Sequence, residues 1–139
     1  MKYVHVNMIA PFILCQEFSK NMIKNNYGKI VNVSSVSVKH GGSPRSAFYT
    51  ATKRALEQLT NTLSKTYAEN NININAIRVG VTNTKFHDKN PNKDLDKRAA
   101  LIPLGRIAEP HEVAEFIYQM TDDVFSFCTG SVYDFTGGE

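Results

Sequence analysis

The sequence predicts an α/β fold in which a parallel sheet of about three strands is flanked by helices. Two observations predict this class. Helix-like and strand-like patterns alternate along the 139 residues, and the segments between successive strands are long enough to hold crossover helices. The composition is that of a globular chain and not of a disordered, collagen-like or coiled-coil one, because 42% of the residues are hydrophobic and 21% are charged.

The first helix is predicted over 8–25, where apolar side chains recur mostly at four-residue steps. Asn7 stands at the opening of this helix, where N-capping is the ordinary role of an asparagine. Asn26 and Gly28 then supply stop signals. The run 29–34 is short and β-branched and ends in small polar residues, which predicts a buried strand.

A loop is predicted over 36–46, because two glycines and a proline interrupt any regular pattern there. A long helix begins near Phe48, with leucines at three- and four-residue steps, and it ends near Asn70. The segment 72–79 alternates and is rich in β-branched residues, which predicts a second strand.

The third part of the chain mixes turn residues and charges around a short helix-compatible piece at 95–101, and 84–103 is a candidate lid over a site. Proline and acidic residues at 109–112 predict the start of a helix that ends near Met120. The last strand is predicted over 131–135. Sheets of this class generally have about five or six strands, so this one is expected to be cut off at one side.

Tyr49 and Lys53 form the pattern Y-x-x-x-K in the long predicted helix, where four-residue spacing places both side chains on one face, one turn apart. Such a pair suits proton transfer. A free tyrosine has a pKa of about 10, and burial alone would raise it, because burial disfavours the phenolate. A nearby ammonium group stabilises the phenolate, so the lysine is required if the tyrosine is to exchange protons near neutral pH.

Taken alone, this pattern arises readily by chance in a chain with six tyrosines and many lysines, and an exposed helix pair without function would explain it. The neighbouring sequence adds support for a catalytic role of this pair. Asn32-Val33-Ser34-Ser35 stands where a strand ends, and ligands bind at strand ends in open α/β sheets. A hydroxyl group there could hold a substrate carbonyl oxygen opposite Tyr49, although turn capping is the ordinary role of such serines.

Together these residues resemble the short-chain dehydrogenase/reductase family over essentially the whole chain. The order of the motifs is specific. They are Asn7, N-V-S-S at 32–35, Y-T-A-T-K at 49–53, V-G-V-T-N-T at 79–84, P-L-G-R at 103–106 with E-P-H-E-V-A at 109–114, and T-G-S followed by T-G-G near the end. The resemblance implies a partial Rossmann-like, doubly wound parallel sheet in which 1–139 is a single partial domain, the catalytic and substrate-binding half.

The resemblance also implies a role for each matching residue. Tyr49 is similar to the catalytic acid/base, Lys53 to the residue that lowers its pKa and contacts the nicotinamide ribose, and Ser35 to the hydroxyl that orients the carbonyl. Asn7 resembles the asparagine that holds a water in the proton relay beyond the lysine. The implied cofactor-binding residues are Tyr49, Lys53, Gly80, Thr82 and Thr84, the last resembling the threonine that bonds the nicotinamide carboxamide.

Three departures from the family pattern matter. Val79 stands where the family usually has proline before glycine, so we expect a local change in stiffness and no loss of function. Ser35 lies fourteen residues before Tyr49, where many members have thirteen, which keeps Ser34 as an alternative carbonyl-orienting residue. The largest departure is the missing glycine-rich dinucleotide fingerprint, which the eight glycines of this chain cannot form.

The resemblance therefore implies NAD or NADP as the cofactor, with no site in this chain for its adenosine half. The residues that choose between the two cofactors belong to the same missing amino-terminal half. By analogy, the strand at 29–34 would lie in mid-sheet, and its edge would be left unpaired. We expect the chain to be marginally stable alone, oligomerised through that edge, or part of a longer polypeptide.

Two functional hypotheses follow. The first is an NAD(P)-dependent oxidoreductase that interconverts a carbonyl and a secondary alcohol by hydride transfer, with Tyr49 as acid/base, although the 139-residue chain alone is expected to be inactive. The second is a truncated, non-catalytic fragment or pseudoenzyme that acts only by association with related subunits. The expected partners are a small carbonyl or alcohol substrate and further copies of the chain, in a dimer or tetramer paired through helices 8–25 and 48–69.

Other classes have little support in the sequence. The net charge of +3 is scattered, so a nucleic-acid binder would rest on charge alone and would need strongly salt-dependent binding. Four histidines lack metal-ligand spacing, and two cysteines form neither a disulfide framework nor a metal motif, which favours a reducing, cytoplasmic location. The apolar start is interrupted by polar residues and proline, so neither a signal peptide nor a membrane segment is expected.

Overall fold

A computed structural model describes residues 2–85 and 95–139 and contains one three-stranded parallel sheet. The strands are β1 (Gly28–Ser35), β2 (Ile72–Val79) and β3 (Val132–Phe135), in that spatial order. β1 and β2 pair along their whole length, and all of β3 pairs with the second half of β2. The predicted α/β class with a parallel, partial Rossmann-like sheet is therefore confirmed.

Helices connect the strands and pack on the sheet. Their bounds are α1 (Lys2–Val4), a π-helical turn (His5–Ile9), α2 (Ala10–Asn25), α3 (Ser37–His40), α4 (Ala47–Tyr67) with a 3₁₀ turn (Ala68–Asn70), α5 (Leu95–Ala99), α6 (Pro110–Gln119) and a 3₁₀ turn (Asp123–Phe125). Both α2 and α4 contact β1, β2 and each other, so they form one helical layer over these strands.

Two sequence predictions about local structure are wrong. The first helical stretch begins at Lys2, and Asn7 lies inside it in the π-helical turn, so Asn7 does not open the helix. Val4 and Ile9 both have right-handed helical dihedrals, which makes α1, the π turn and α2 continuous. The predicted loop over 36–46 contains the short helix α3, which ends at Gly41 with a φ of 75°.

Local sequence signals explain where α2 and α6 begin and end. Pro11 lies in the first turn of α2, and Asn26 ends that helix in the left-handed conformation with a φ of 47°. α6 begins with a reciprocal capping box, in which the side chains of Glu109 and Glu112 each accept a hydrogen bond from the other's backbone N–H. Pro110 is the first residue of the helix.

β2 is the centre of the sheet and the most buried strand. Its consecutive side chains from Ile74 to Ile77 are all buried, so both faces of the strand are covered. The alternating pattern predicted for 72–79 therefore does not correspond to an alternation of buried and exposed side chains. The main cluster around it joins α2, α4 and β2 through Cys15, Leu63, Ile72 and Ile74, with Phe12, Met22, Ile30 and Tyr67 packed against them.

The described part of the predicted lid, 84–103, comprises Thr84, Lys85 and α5 with the turn after it; residues 86–94 lie outside the described residues. Thr84 and Lys85 are exposed, whereas Ile102 is buried after α5. A lid role for this segment stays a prediction. Within 2–85 and 95–139, no helix combines the length and apolar character needed to cross a bilayer.

Candidate active site

The candidate site lies where β1 and β2 end. Ser35, the last residue of β1, is the register partner of Val79, the last residue of β2. The N–H of Val36 donates to the Val79 carbonyl at 3.0 Å, which holds the two strand ends together. Gly80 follows directly, so the parallel register places it beside the end of the N-V-S-S segment. Ligands bind at this end of open parallel sheets.

Tyr49 and Lys53 lie one turn apart near the start of α4, and both are half-buried. The Lys53 Nζ lies 5.9 Å from the centroid of the Tyr49 ring. On its other side, the Tyr49 ring packs edge-on against Tyr3 at a centroid distance of 5.7 Å. Burial lowers the pKa of the Lys53 ammonium, and its Nζ donates a hydrogen bond to the Val33 carbonyl at 2.7 Å. The helix thus brings a phenol and a partly desolvated cation together.

Asn7 reaches the same helix through a buried threonine. Its Nδ2 donates to the Thr52 Oγ1 at 3.0 Å, and the Thr52 hydroxyl donates to the Tyr49 carbonyl at 2.7 Å. Single π-helical turns are rare in proteins, but where they occur they often lie at functional sites. The π-helical turn in this chain contains Asn7, and it directs the Asn7 side-chain amide toward α4. The structure therefore connects Asn7 with the Tyr49 backbone, a link that runs through a residue not singled out from the sequence.

The two serines of N-V-S-S have different environments. Ser34 is buried, and its hydroxyl donates to the Glu57 Oε1 at 2.7 Å, with the Lys53 carbonyl farther away at 3.5 Å. Ser35 is half-buried, and its Oγ accepts a hydrogen bond from the Ser37 N–H at 3.2 Å, which is a turn-capping contact. Because Ser34 is already committed to Glu57, Ser35 is the better placed of the two to bind a substrate oxygen.

Besides Tyr49 and Lys53 on α4, the residues predicted to bind the cofactor lie just after the end of β2. A Cβ at Gly80 would lie 3.0 Å from the Thr136 Cα, so a larger residue here would crowd two closely approaching backbones. Thr82 is half-buried and its hydroxyl donates to the Gly80 carbonyl at 3.2 Å. Thr84 is exposed. Hydroxyl and ammonium groups at strand ends suit the ribose and carboxamide of a nicotinamide, so the described residues fit that half of the cofactor.

A buried charge cluster beneath the site escaped the sequence analysis. Arg78 of β2 binds the Glu57 carboxylate of α4 with two hydrogen bonds of 2.8 Å, and it also donates to Asp134 of β3 at 3.3 Å. Burial raises the pKa of Glu57, but the hydrogen bonds from Arg78 and Ser34 outweigh it and hold this pKa below its ordinary value. The sequence did contain a signal of this cluster. Glu57 is a charged residue in an otherwise buried stripe of α4, and Arg78 is a charged residue in an apolar strand.

The histidines and cysteines of the described residues are dispersed along the chain. His5, His40 and His111 are exposed, and His87 lies outside the described residues. Among the residues that the structure describes, no group of three or more histidine, cysteine or acidic side chains could hold a metal ion. Phe125 packs edge-on against Tyr133, whereas Phe127 is fully exposed.

Comparison with known proteins now decides the family. The family described as "Enoyl-(Acyl carrier protein) reductase" matches residues 1–139. The chain belongs to the short-chain dehydrogenase/reductase family. Its oxidoreductase relatives include a 3-oxoacyl-[acyl-carrier-protein] reductase of Thermotoga maritima, which is 38% identical over 135 residues, or 97% of this chain and 54% of the relative.

Two solved structures of short-chain dehydrogenases show the same fold. A 4-hydroxyisoleucine dehydrogenase mutant, complexed with NADH and succinate, has a TM-score of 0.86 and 31% identity over 97% of this chain and 56% of its own. A protein of Agrobacterium tumefaciens with bound NADP has a TM-score of 0.87 and 28% identity over 96% of this chain and 55% of its own. The chain spans about half the length of the relatives that it matches.

Proposed function

We propose that this chain is the catalytic half of an NAD(P)-dependent oxidoreductase that interconverts a carbonyl and a secondary alcohol. The observation that carries the proposal is the placement of Tyr49 and Lys53, one turn apart and half-buried, beside the end of the strand that carries Ser35. Its relatives include a 3-oxoacyl-[acyl-carrier-protein] reductase and a 3alpha-hydroxysteroid dehydrogenase, whose names both denote this interconversion.

The proposed chemistry moves one proton through Tyr49. In the reducing direction its hydroxyl donates that proton to the carbonyl oxygen of the substrate, which Ser35 holds by a hydrogen bond, and the product is a secondary alcohol. When bound, a reduced nicotinamide would supply the hydride that the carbonyl carbon receives. The Lys53 ammonium stabilises the tyrosinate left behind, and Asn7 holds a water that returns the proton. In the oxidising direction, Tyr49 takes the proton from the alcohol.

The proposal assigns the nicotinamide half of NAD or NADP to Tyr49, Lys53, Gly80, Thr82 and Thr84. Relatives with bound NADH and with bound NADP both exist, so the comparisons leave either cofactor open to this chain. The adenosine and pyrophosphate half would have to bind outside the residues of this chain, because its eight glycines cannot form the glycine-rich turn. We therefore expect the 139-residue chain to be inactive by itself.

One observation favours the second function, a non-catalytic fragment that acts by association. In this structure the Lys53 ammonium is bound to the Val33 carbonyl, and that contact turns the positive charge toward β1. A chain that kept this contact would retain the catalytic residues without using them. The two functions are distinguished by turnover, since only the first predicts any.

We further propose a cytoplasmic homo-oligomer, a dimer or tetramer, in which the helices 8–25 and 48–69 pair subunits. Large exposed apolar side chains on these helices support it, because contiguous apolar surface marks protein contacts. They include Ile9, Ile13, Leu14, Phe18 and Phe48, each at least 42% exposed. The substrate would be a small molecule; neither a nucleic acid nor a membrane is a proposed partner.

The test uses a fused protein in which the unmatched amino-terminal segment of the Thermotoga maritima reductase precedes residues 1–139. Oxidation of NADH or NADPH by this protein is followed with a 3-oxoacyl thioester and with acetoin. Tyr49→Phe should lower kcat by about 100-fold or more, because general acid–base catalysis contributes about 10²–10⁴-fold. Tyr67→Phe, a matched change at the other end of α4, should leave kcat within about twofold.

Two results would contradict the proposal. One is a Tyr49→Phe variant that turns over as fast as the unchanged fused protein. The other is a fused protein that binds the cofactor, remains folded by circular dichroism and shows no turnover with any carbonyl substrate. The second result would leave the associating, non-catalytic function in its place.

A further inference from the structure

Glu139 is a buried acidic residue beside α5 that the proposed chemistry does not use. Its side chain is only 6% exposed, and its Oε1 accepts a hydrogen bond from the Arg98 guanidinium of α5. Its Oε2 is also buried, and it has no hydrogen-bond partner within 2–85 and 95–139. Taking a carboxylate out of water is costly unless a donor compensates, so Arg98 stabilises this side chain in its buried position.

α3 is tied to the same residue. The Lys39 Nζ donates to the backbone oxygen of Glu139, and the Thr136 hydroxyl donates to that oxygen at 3.1 Å. The Lys39 Nζ also pairs with the Asp134 Oδ2 of β3 at 3.0 Å. Glu139 therefore has α5 bound to its side chain and α3 bound to its backbone.

Asp134 connects these contacts to the buried charge cluster. Its Oδ1 pairs with the Arg78 Nη1 at 3.3 Å, and Arg78 in turn binds the Glu57 carboxylate of α4. An isolated ion pair at a surface contributes little, but several charges joined in a network hold their geometry better. Ion pairs thus link α5, α3, β3, β2 and α4 in that order.

Both α3 and α5 follow parts of the candidate site in the chain. α3 begins at Ser37, close after Ser35, and the Ser37 N–H donates to the Ser35 Oγ at 3.2 Å. The turn after α5 packs on the segment that leads to Glu139, where the Leu104 N–H donates to the Gly137 carbonyl at 3.1 Å. A shift of either helix would therefore change the surface around the strand ends.

We propose that Glu139 is a positioning residue for substrate binding. Together with Arg98 and Lys39 it forms a clamp, which we call the Glu139 clamp, that holds α3 and α5 in place beside the strand end at Ser35. The walls on which a substrate rests are then formed before it arrives. The proposal rests on the proposed function in taking this site to bind a substrate, whereas the clamp itself does not depend on it.

Such a clamp affects substrate affinity more than the chemical step. A ligand that needs one conformation binds more weakly in proportion to the fraction of molecules in that conformation. Once the substrate is bound, the clamp is closed, and Tyr49 and Ser35 have their usual positions. Loss of the clamp should therefore raise KM and leave kcat nearly unchanged.

The kinetic test uses the fused protein that tests the proposed function, with the same substrates and a saturating cofactor. Glu139→Gln keeps the size of the side chain and removes its charge. It should raise KM about tenfold, because loss of a hydrogen bond to a charged group shifts an equilibrium by about that factor. The kcat should stay within about twofold. Glu115→Gln, an exposed change on α6, should alter neither constant.

A double variant tests whether Arg98 and Glu139 act as one unit. Arg98→Met should raise KM at least as much as Glu139→Gln, because it leaves a buried carboxylate without the donor to its side chain. The variant with both changes should have a KM no higher than that of Arg98→Met alone, since both remove one contact. Effects on KM that multiply would overturn the clamp.

Lys39→Met tests the other arm at a side chain that is one-third exposed, so it is informative even if changes at Glu139 prevent folding. It should raise KM about two- to fivefold with kcat unchanged, because partly exposed ion pairs contribute less than buried ones. Lys65→Met, an exposed change on α4, is its matched control and should leave KM unchanged. A KM for Lys39→Met equal to that of Lys65→Met would contradict the role of α3.

Limited proteolysis measures the clamp without turnover. Lys97 is exposed on α5, and trypsin should cleave after it about tenfold faster in Glu139→Gln, because cleavage follows the population of the opened segment. Cleavage after Lys65 should be unchanged. Faster cleavage in a fused protein without any turnover would support the clamp and contradict the proposed function. Turnover with unchanged cleavage, or faster cleavage with an unchanged KM, would overturn this inference and leave the proposed function in place.

Discussion

Two groups of polar residues project from α4, and they differ in how fully other residues of this chain bind their polar atoms. On the buried side, Glu57 has both carboxylate oxygens bound, to Arg78 and Ser34 within the core and to Arg54 at the surface. On the other side, Tyr49 and Lys53 are half-buried, and the lysine Nζ donates a hydrogen bond to the Val33 carbonyl of β1. Glu57 and its partners connect elements of this chain, whereas Tyr49 and Lys53 lie at a surface that is still partly exposed.

The difference shows which polar residues hold the fold and which are available for chemistry. A buried carboxylate with fixed hydrogen bonds cannot exchange protons without breaking the contact between α4 and β2. The Tyr49 phenol and the Lys53 ammonium are half-buried, and they are the groups that the proposed function uses. The buried group is therefore the anchor that fixes α4, and through α4 it fixes the position of Tyr49 and Lys53 relative to the strand ends.

The largest expected effect on stability comes from removing the Glu57 carboxylate. Glu57→Leu should lower the free energy of unfolding of the fused protein by about 3 kcal/mol, because Arg78 would be left partly buried with only Asp134 as a partner. Urea unfolding measures this loss of unfolding free energy. Arg54→Ala, which removes the exposed partner of the same carboxylate, should cost less than about 1 kcal/mol. Equal costs for both variants would contradict a dominant buried pair.

Acid should weaken the same anchor. The pKa of Glu57 is lowered in the folded protein, so its stabilising contribution is fully present above its unfolded pKa of about 4.5 and is lost as the pH falls through the folded value. The difference in unfolding free energy between the unchanged protein and Glu57→Gln should therefore shrink below about pH 4. A difference that stays constant from pH 7 to pH 3 would show that the charge of Glu57 adds nothing.

The smallest effect on stability is expected for the contact between Asn7 and Thr52 of α4. Thr52→Val should cost about 1 kcal/mol, because it leaves the amide of Asn7 and the carbonyl of Tyr49 without their shared partner. Thr62→Val removes a hydroxyl of the same helix that is exposed and bonds the Gln58 carbonyl, and it should be nearly neutral. Calorimetry of both variants checks the comparison; a cost for Thr62→Val as large as that for Thr52→Val would count against it.

Much of the fold could be predicted from the sequence because periodicity and end signals are local. The strand at 72–79 and the start of α6 follow from a β-branched run and from Pro110 beside acidic residues. The start at Lys2 could not be predicted, because the π-helical turn disrupts the four-residue spacing that marks a helix. α3 was hidden by neighbouring glycines, one of which ends it.

The candidate site was predictable only in part, for a related reason. Tyr49 and Lys53 share a helix, so their spacing alone indicates that they are neighbours. Glu57 and Arg78 lie 21 residues apart, and only the packing of α4 on β2 brings their side chains together. The same holds for Asn7, which is 45 residues from Thr52. Contacts that depend on tertiary packing have no periodic signature in the sequence.

Within 2–85 and 95–139, β1 pairs with a strand on one side only, and the alternating orientation of its residues has a consequence for amide hydrogen exchange. N–H groups of Ile30, Asn32 and Ser34 face β2 and should exchange slowly, whereas those of Val31 and Val33 face the open edge and should exchange quickly. Protection along this strand should therefore alternate residue by residue in the chain alone. Filling the edge would protect the fast set without changing the slow one, so two neighbouring amides would report separately on folding and on assembly.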